Sequence, residues 1–304
     1  MPSWRGKSRG NKTGFRIFVW VLKNAGLTPA YLLLRLVAFY FFIFSGKAFR
    51  VQYAFFRQRL AYSSLHSIRS IYKNYYWFGQ TIIDKIVLMS GLKNPFRFDF
   101  EGEEYLRQMV SQRKGGLLLS AHIGNWEIAG HLLQRLGTDM HIVMYDGEEQ
   151  QIKDYLTSIT EKHSAHIILI REDLSHIYAI QEALSKNAFV CMHADRFLEG
   201  NKTLPGYFLN KTARFPAGPF LLARTFQVPV SFVFAMKDRA LDYHFYASPP
   251  KIYSGKKESS LEEMLRDYCL NMEKIVRNYP LQWYNYYDFW DQGPKPKAQI
   301  TPKA

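Results

Sequence analysis

Residues 115–129 read Gly-Gly-Leu-Leu-Leu-Ser-Ala-His-Ile-Gly-Asn-Trp-Glu-Ile-Ala, and three different local patterns meet in them. Gly115-Gly116 followed by Leu117-Leu118-Leu119-Ser120 has the form of a short buried strand over 116–120. Helical spacing begins near Trp126 and continues through Leu136, where Gly137 supplies a stop. His122 therefore falls in a loop between a strand and a helix. That order repeats downstream. Short apolar runs near 140–144, 166–170, 188–193, 229–235 and 242–247 alternate with amphipathic stretches near 148–163, 173–186, 216–226 and 259–278. Strands alternating with helices predict an α/β fold with a largely parallel central sheet flanked by helices.

In that frame His122 and Glu127 stand out as a pair. Residues five apart within one helix point about 140° from each other, so they can meet only if His122 precedes the helix and Glu127 occupies its first turn. A carboxylate there would fix the imidazole tautomer and leave the second ring nitrogen free to take a proton from a hydroxyl or amine. The plainer alternative is a loop histidine followed by a glutamate that compensates the helix dipole.

The stretch His122-Ile-Gly-Asn-Trp-Glu127 resembles the His-x4-Asp/Glu motif of the glycerolipid acyltransferase superfamily. It is most similar to the branch of lipid A secondary acyltransferases, and the similarity extends to Tyr279-Pro-Leu-Gln-Trp-Tyr-Asn-Tyr-Tyr-Asp-Phe-Trp290. The resemblance implies transfer of a fatty acyl group from an acyl-carrier-protein or coenzyme A thioester to a hydroxyl or amine of a lipid A-type lipid or a related glycolipid or aminolipid. It gives His122 the role of base and Glu127 that of its partner. A lysophospholipid acceptor, or a lipid-binding protein that keeps the fold without the reaction, are the alternatives.

Four further residues are candidate substrate contacts on the same footing, together with Asn125. Asp195 and Arg196 follow the 188–193 strand, and groups just past a strand's carboxyl end face the ligand crevice of open α/β sheets. Lys211 and Arg214 lie in a loop-like segment between Leu204 and Pro219, where two cations could hold a phosphate. The N–H groups near Gly124 and Asn125 are candidate oxyanion donors. The ring-rich ending carries no arginine where the lipid A enzymes have consecutive ones. That departure favours a less anionic acceptor met by an aromatic rim, with most of these rings expected in the core.

Charge separates the two ends of the chain. The net charge is +14, yet residues 1–83 hold thirteen Lys or Arg and no acidic residue, the first carboxylate being Asp84. Between Lys23 and Lys47 only Arg35 is charged, and Tyr31 to Phe44 is otherwise almost entirely apolar or aromatic. A nucleic-acid surface would not embed its basic residues around such a run. The pattern predicts a membrane-seeking helix held by anionic lipid, with the chain at the inner (cytoplasmic) membrane and the catalytic part facing the cytoplasm. Arg35 near the middle leaves open whether that helix spans or lies in the interface.

The organisation expected is therefore a membrane-associated helical segment over 1–90, an acyltransferase domain over 91–292 and a polar tail over 293–304. Cys191 and Cys269 have no metal-ligand spacing, and no Gly-rich nucleotide loop, Gly-x-Ser-x-Gly elbow or His-Glu-x-x-His motif occurs. No metal or cofactor is expected.

Overall fold

A computed structural model describes residues 12–89, 94–126, 128, 134–145, 165–171, 173–198 and 200–290. The segments 148–163 and 293–304, and most of the helix expected after Trp126, lie outside the described residues. Strand β2 (Gly116–Ser120) is apolar because both of its faces are covered: every residue in it is buried. Around it lie β1 (Arg97–Glu101), β3 (Met140–Tyr145), β4 (Ala165–Ile170), β5 (Phe189–His193), β8 (Val230–Lys237) and β9 (Asp242–Ala247). Their order across the sheet is β1-β9-β8-β2-β5-β3-β4. All neighbours run parallel except β8 and β9. The chain leaves β2 to one side for β3 and β4, returns to lay β5 beside β2, then crosses to β8 on the other side. Polar residues past the ends of β2 and β5 are thereby brought together at a crevice.

The helices are α1 (Lys12–Ala25), α2 (Leu27–Phe44), α3 (Gly46–Ala54), α4 (Ser64–Met89), α5 (Glu103–Ser111), α6 (Ser175–Ser185), α7 (Ala217–Phe226) and α8 (Lys257–Asn278). Alternate residues of β2 enter different cores. Leu117 and Leu119 pack with Ile180, Phe220, Met264 and Tyr268 on one face. Leu118 packs with Ile86, Met109, Phe189 and Tyr243 on the other. Both cores draw on the N-terminal helices: Ala38, Phe56 and Tyr75 belong to the first and Val19, Ala30 and Leu34 to the second.

Helix α2 shows how the N-terminal segment is fitted. Ala30, Leu34 and Ala38, four apart, form its buried stripe. Gly79 on α4 makes room for it, because a Cβ there would lie 2.3 Å from Cδ1 of Leu34. The outer face is apolar too: Leu32, Leu36, Phe39, Tyr40, Ile43 and Phe44 are exposed. By length and composition α2 could cross a membrane, with a mean hydropathy of 1.8. The guanidinium of Arg35 lies 6.0 Å from the ring centre of Tyr76, so this mid-helix charge has an aromatic neighbour.

Three regions differ from the sequence reading. The loop-like segment after Leu204 is an antiparallel hairpin, β6 (Thr203–Phe208) and β7 (Lys211–Pro216). Its alternation is short and interrupted by Pro205 and Gly206, residues that usually argue against a strand. The five-residue β1 alternates Phe98 and Phe100 with three charges, too short a run to announce a strand, and neither it nor α5 is among the elements the sequence predicts.

Candidate active site

The loop after β2 is fixed by backbone bonds from three directions. Gly124 N donates to Gln282 O at 2.8 Å, Asn125 N to Ala235 O at 2.7 Å, and Tyr284 N to His122 O at 3.1 Å. Gly124 is required there. Its φ is +65° and a Cβ would stand 2.1 Å from Ala235 O. The N–H groups of Gly124 and Asn125, expected as oxyanion donors, are thus spent on the protein's own carbonyls.

Asp195 enters from the end of β5 and takes hold of His122 twice. Its Oδ2 accepts from the His122 backbone N at 3.0 Å, and its Oδ1 lies 2.7 Å from the ring Nδ1. Burial alone would raise the Asp195 pKa, but the His122 ring, its hydrogen bond and the nearby Arg196 outweigh that and hold the carboxyl well below its usual range. An ionised carboxylate can only accept, so the proton sits on Nδ1 and the lone pair is on Nε2. The His122 side chain keeps 23% exposure while Asp195 keeps 2%. Burial, then Arg196, lowers the His122 pKa, with Asp195 opposing. The imidazole is therefore neutral near pH 7, the form that can accept a proton.

Two more groups complete the surroundings. The ring of His193 lies 4.2 Å from that of His122 and packs edge-on against Trp126 at 4.6 Å. Its pKa is pushed far down by burial and then by His122, so it adds no positive charge. Arg196 donates through Nη2 to Tyr284 O at 2.7 Å and lies 5.9 Å from the centre of the Tyr287 ring. Its buried Nε has no hydrogen-bond partner among the described residues. An unsatisfied donor beside a neutral imidazole can meet an anionic or carbonyl oxygen.

The remaining candidates fall elsewhere. Glu127 lies outside the described residues. The Asn125 amide points inward rather than to the crevice, donating at 3.2 Å both to Thr81 O and to the Tyr243 hydroxyl. Lys211 and Arg214 are exposed on the β6–β7 hairpin, and Arg214 reaches Thr203 Oγ1 at 3.3 Å. Of the ring-rich ending, Trp283, Tyr284 and Phe289 are core residues, while Tyr279, Tyr286, Tyr287 and Trp290 are half-buried.

A second buried polar group was missed. Lys237, the last residue of β8, and Asp84 of α4 form an ion pair at 2.5 Å with neither side chain exposed. The hydroxyls of Tyr31 and Tyr243 also donate to Asp84. Burial raises the pKa of Asp84 and lowers that of Lys237, and their mutual attraction opposes both shifts. The lone acid after 83 residues without one was a usable signal in the sequence; its partner 153 positions on had none.

No curated protein matches the chain. The family model described as bacterial lipid A biosynthesis acyltransferase matches residues 69–290. That span opens within α4 and takes in the whole sheet, the His122 loop and the segment that pins it. Its extent settles the affiliation: the chain belongs to the bacterial lipid A biosynthesis acyltransferase family.

Proposed function

We propose that this protein transfers a fatty acyl group from an acyl-carrier-protein or coenzyme A thioester to a hydroxyl or amine of a lipid A-type acceptor or a related glycolipid or aminolipid. The observation that carries this reading is the neutral, partly exposed His122, oriented through Nδ1 by Asp195, with no hydrogen-bond partner for Nε2 among the described residues. Nε2 takes the acceptor's proton as its oxygen or nitrogen bonds to the thioester carbonyl carbon. The C–S bond then breaks and the sulfur leaves as thiolate, to which the imidazolium returns the proton. Arg196 is aimed at charge developing on the carbonyl oxygen or at the acceptor's phosphate, a role its unpartnered Nε supports. Glu127 is the second carboxylate proposed for this imidazole, by family resemblance. Lys211 and Arg214 are proposed as outlying contacts for an anionic headgroup or the carrier protein.

The enzyme works at the inner face of the cytoplasmic membrane, with the catalytic domain in the cytoplasm. The exposed apolar face of α2, joined by Ile17 and Trp20 of α1, supports this. The packing of α2 along α4 through Ala30, Leu34 and Ala38 supports a helix that lies in one leaflet against the domain.

The test uses full-length enzyme in vesicles, with acyl-carrier-protein and acyl-coenzyme A donors. Kdo-lipid A precursor, lysophospholipid and monoacylated aminolipid are offered side by side. Acylation of one glycolipid or aminolipid, absent from His122→Ala, is the expected result. Preference for lysophospholipid would reassign the acceptor, and turnover by His122→Ala would remove the mechanism.

A further inference from the structure

The Asp84–Lys237 pair takes no part in the chemistry above, yet it is saturated with bonds that lead to the His122 loop. Asp84 accepts from Tyr31 on one oxygen and from Lys237 and Tyr243 on the other. Lys237 Nζ also donates to the Tyr31 hydroxyl at 2.7 Å and sits among the rings of Tyr31, Phe96 and Tyr243 at 4.7, 5.7 and 5.5 Å. Two routes run from Lys237 to the loop. One passes through Tyr243, whose hydroxyl accepts from the Asn125 amide at 3.2 Å. The other uses Gln282, whose side chain clamps the Lys237 backbone, accepting from its N at 3.0 Å and donating to its O at 2.7 Å. The carbonyl of Gln282 then accepts from Gly124 N at 2.8 Å.

A buried ion pair is poor value as a source of stability, because desolvation commonly cancels its Coulombic gain and apolar substitutes do as well. What it supplies is direction. Each partner fixes the other, and here four segments of the chain are fixed together: α2, α4, the β8–β9 corner and the catalytic loop. We propose that Asp84, Lys237, Tyr31 and Tyr243 form a positioning network that sets the register of the His122–Asn125 loop and makes it depend on the docking of α2. The proposal rests on the reading of His122 as the base. It assigns none of the four residues to the reacting atoms.

The experiment uses the full chain in vesicles and follows kcat, KM and the pH profile. In the paired variant Asp84→Asn with Lys237→Met the charges leave together, so no lone charge is left buried. Expected are a melting temperature close to wild type and KM values within about two-fold. kcat should fall about ten- to a hundred-fold, the scale for loss of alignment at a reacting centre. Asp195, Arg196 and His193 from the β5 end, and Tyr284 and Tyr287 from the C-terminal segment, surround His122 and are unchanged in this variant. A rise of the acid limb toward the ordinary imidazole value near 6.5 would therefore report water reaching a loosened loop. Unchanged kcat and an unmoved limb would overturn the proposal. Should the paired variant fail to fold, Tyr31→Phe removes one hydroxyl only; a lowered kcat with the same upward limb shift is expected, and wild-type values would again overturn it. His122→Ala is run beside them: if it turns over, the base reading has failed and not the network alone.

Discussion

Among the described residues two buried acid–base couples stand out, and they differ in what they leave unsatisfied. In the Asp84–Lys237 couple both oxygens of the acid are taken by donors and the base is enclosed on all sides. In the Asp195–His122 couple the acid is almost equally enclosed, but the base stays partly exposed and its second nitrogen has no partner among the described residues. Burial, short contacts and perturbed titration are common to both. Under the proposed function only the incomplete couple exchanges a proton with a visitor, so incompleteness, rather than burial or strength of pairing, would separate a site of chemistry from a site of alignment.

The largest expected effect lies in the open couple. His122→Ala should lose about 10²–10⁴-fold or more in turnover with its melting temperature preserved. Asp195→Asn should fall in the same range, since the amide cannot hold the Nδ1-protonated tautomer against a positive ring. Glu127→Gln sharpens the contrast: if it costs as much as Asp195→Asn, two carboxylates serve one imidazole, whereas a mild effect leaves Asp195 as the orienting acid. Single-turnover acyl transfer is the measurement.

The closed couple should respond oppositely. Lys237→Met alone strands the Asp84 carboxylate in the core and should cost about 3–5 kcal/mol of stability, read by denaturant unfolding. The paired neutral variant should recover most of it. A double-mutant cycle without coupling would erase the distinction drawn here.

Acidity provides the third test. His122 and His193 resist protonation in the folded state, whereas unfolded imidazoles bind protons near pH 6.5. The unfolded chain therefore holds more protons below that pH, and stability should fall as pH drops through about 6.5. Asp195, with its depressed pKa, adds a further loss as pH falls below the ordinary aspartate range. Turnover should stay level from pH 8 to about 6.5 and decline only below it. A limb above pH 7 would show a charged resting imidazole.

The smallest effect belongs to the exposed hairpin. Lys211→Ala and Arg214→Ala should each raise acceptor or carrier KM by no more than about five-fold, in keeping with exposed charge pairs, and leave kcat alone. A large kcat loss would place that hairpin at the reacting centre.

The sheet and His122 were legible because they depend on neighbours in sequence. An apolar run such as Leu117-Leu118-Leu119 announces a covered strand, and a histidine between strand and helix announces a crevice. The Asp195–His122 bond was not legible, since it follows from β5 being laid beside β2 after two intervening strands. Nor was the inward turn of Asn125, which depends on Tyr243 118 positions away. The β6–β7 hairpin was hidden by Pro205 and Gly206, which weaken the alternation without preventing the pairing.

The bond between Lys237 and the Tyr31 hydroxyl joins residues 206 positions apart. At ordinary rates of synthesis roughly 10–40 s pass between the appearance of the two. Within that interval α4 can cover the Ala30–Leu34–Ala38 stripe of α2, but the outer apolar face of α2 stays uncovered, and water is the worst place for it. A lipid leaflet is the available shelter. The bilayer would thus receive the outer face of α2 first, and Tyr31 would meet its partner only when β8 arrives, so that the alignment of the His122 loop is completed among the last events of biogenesis, already at the membrane surface.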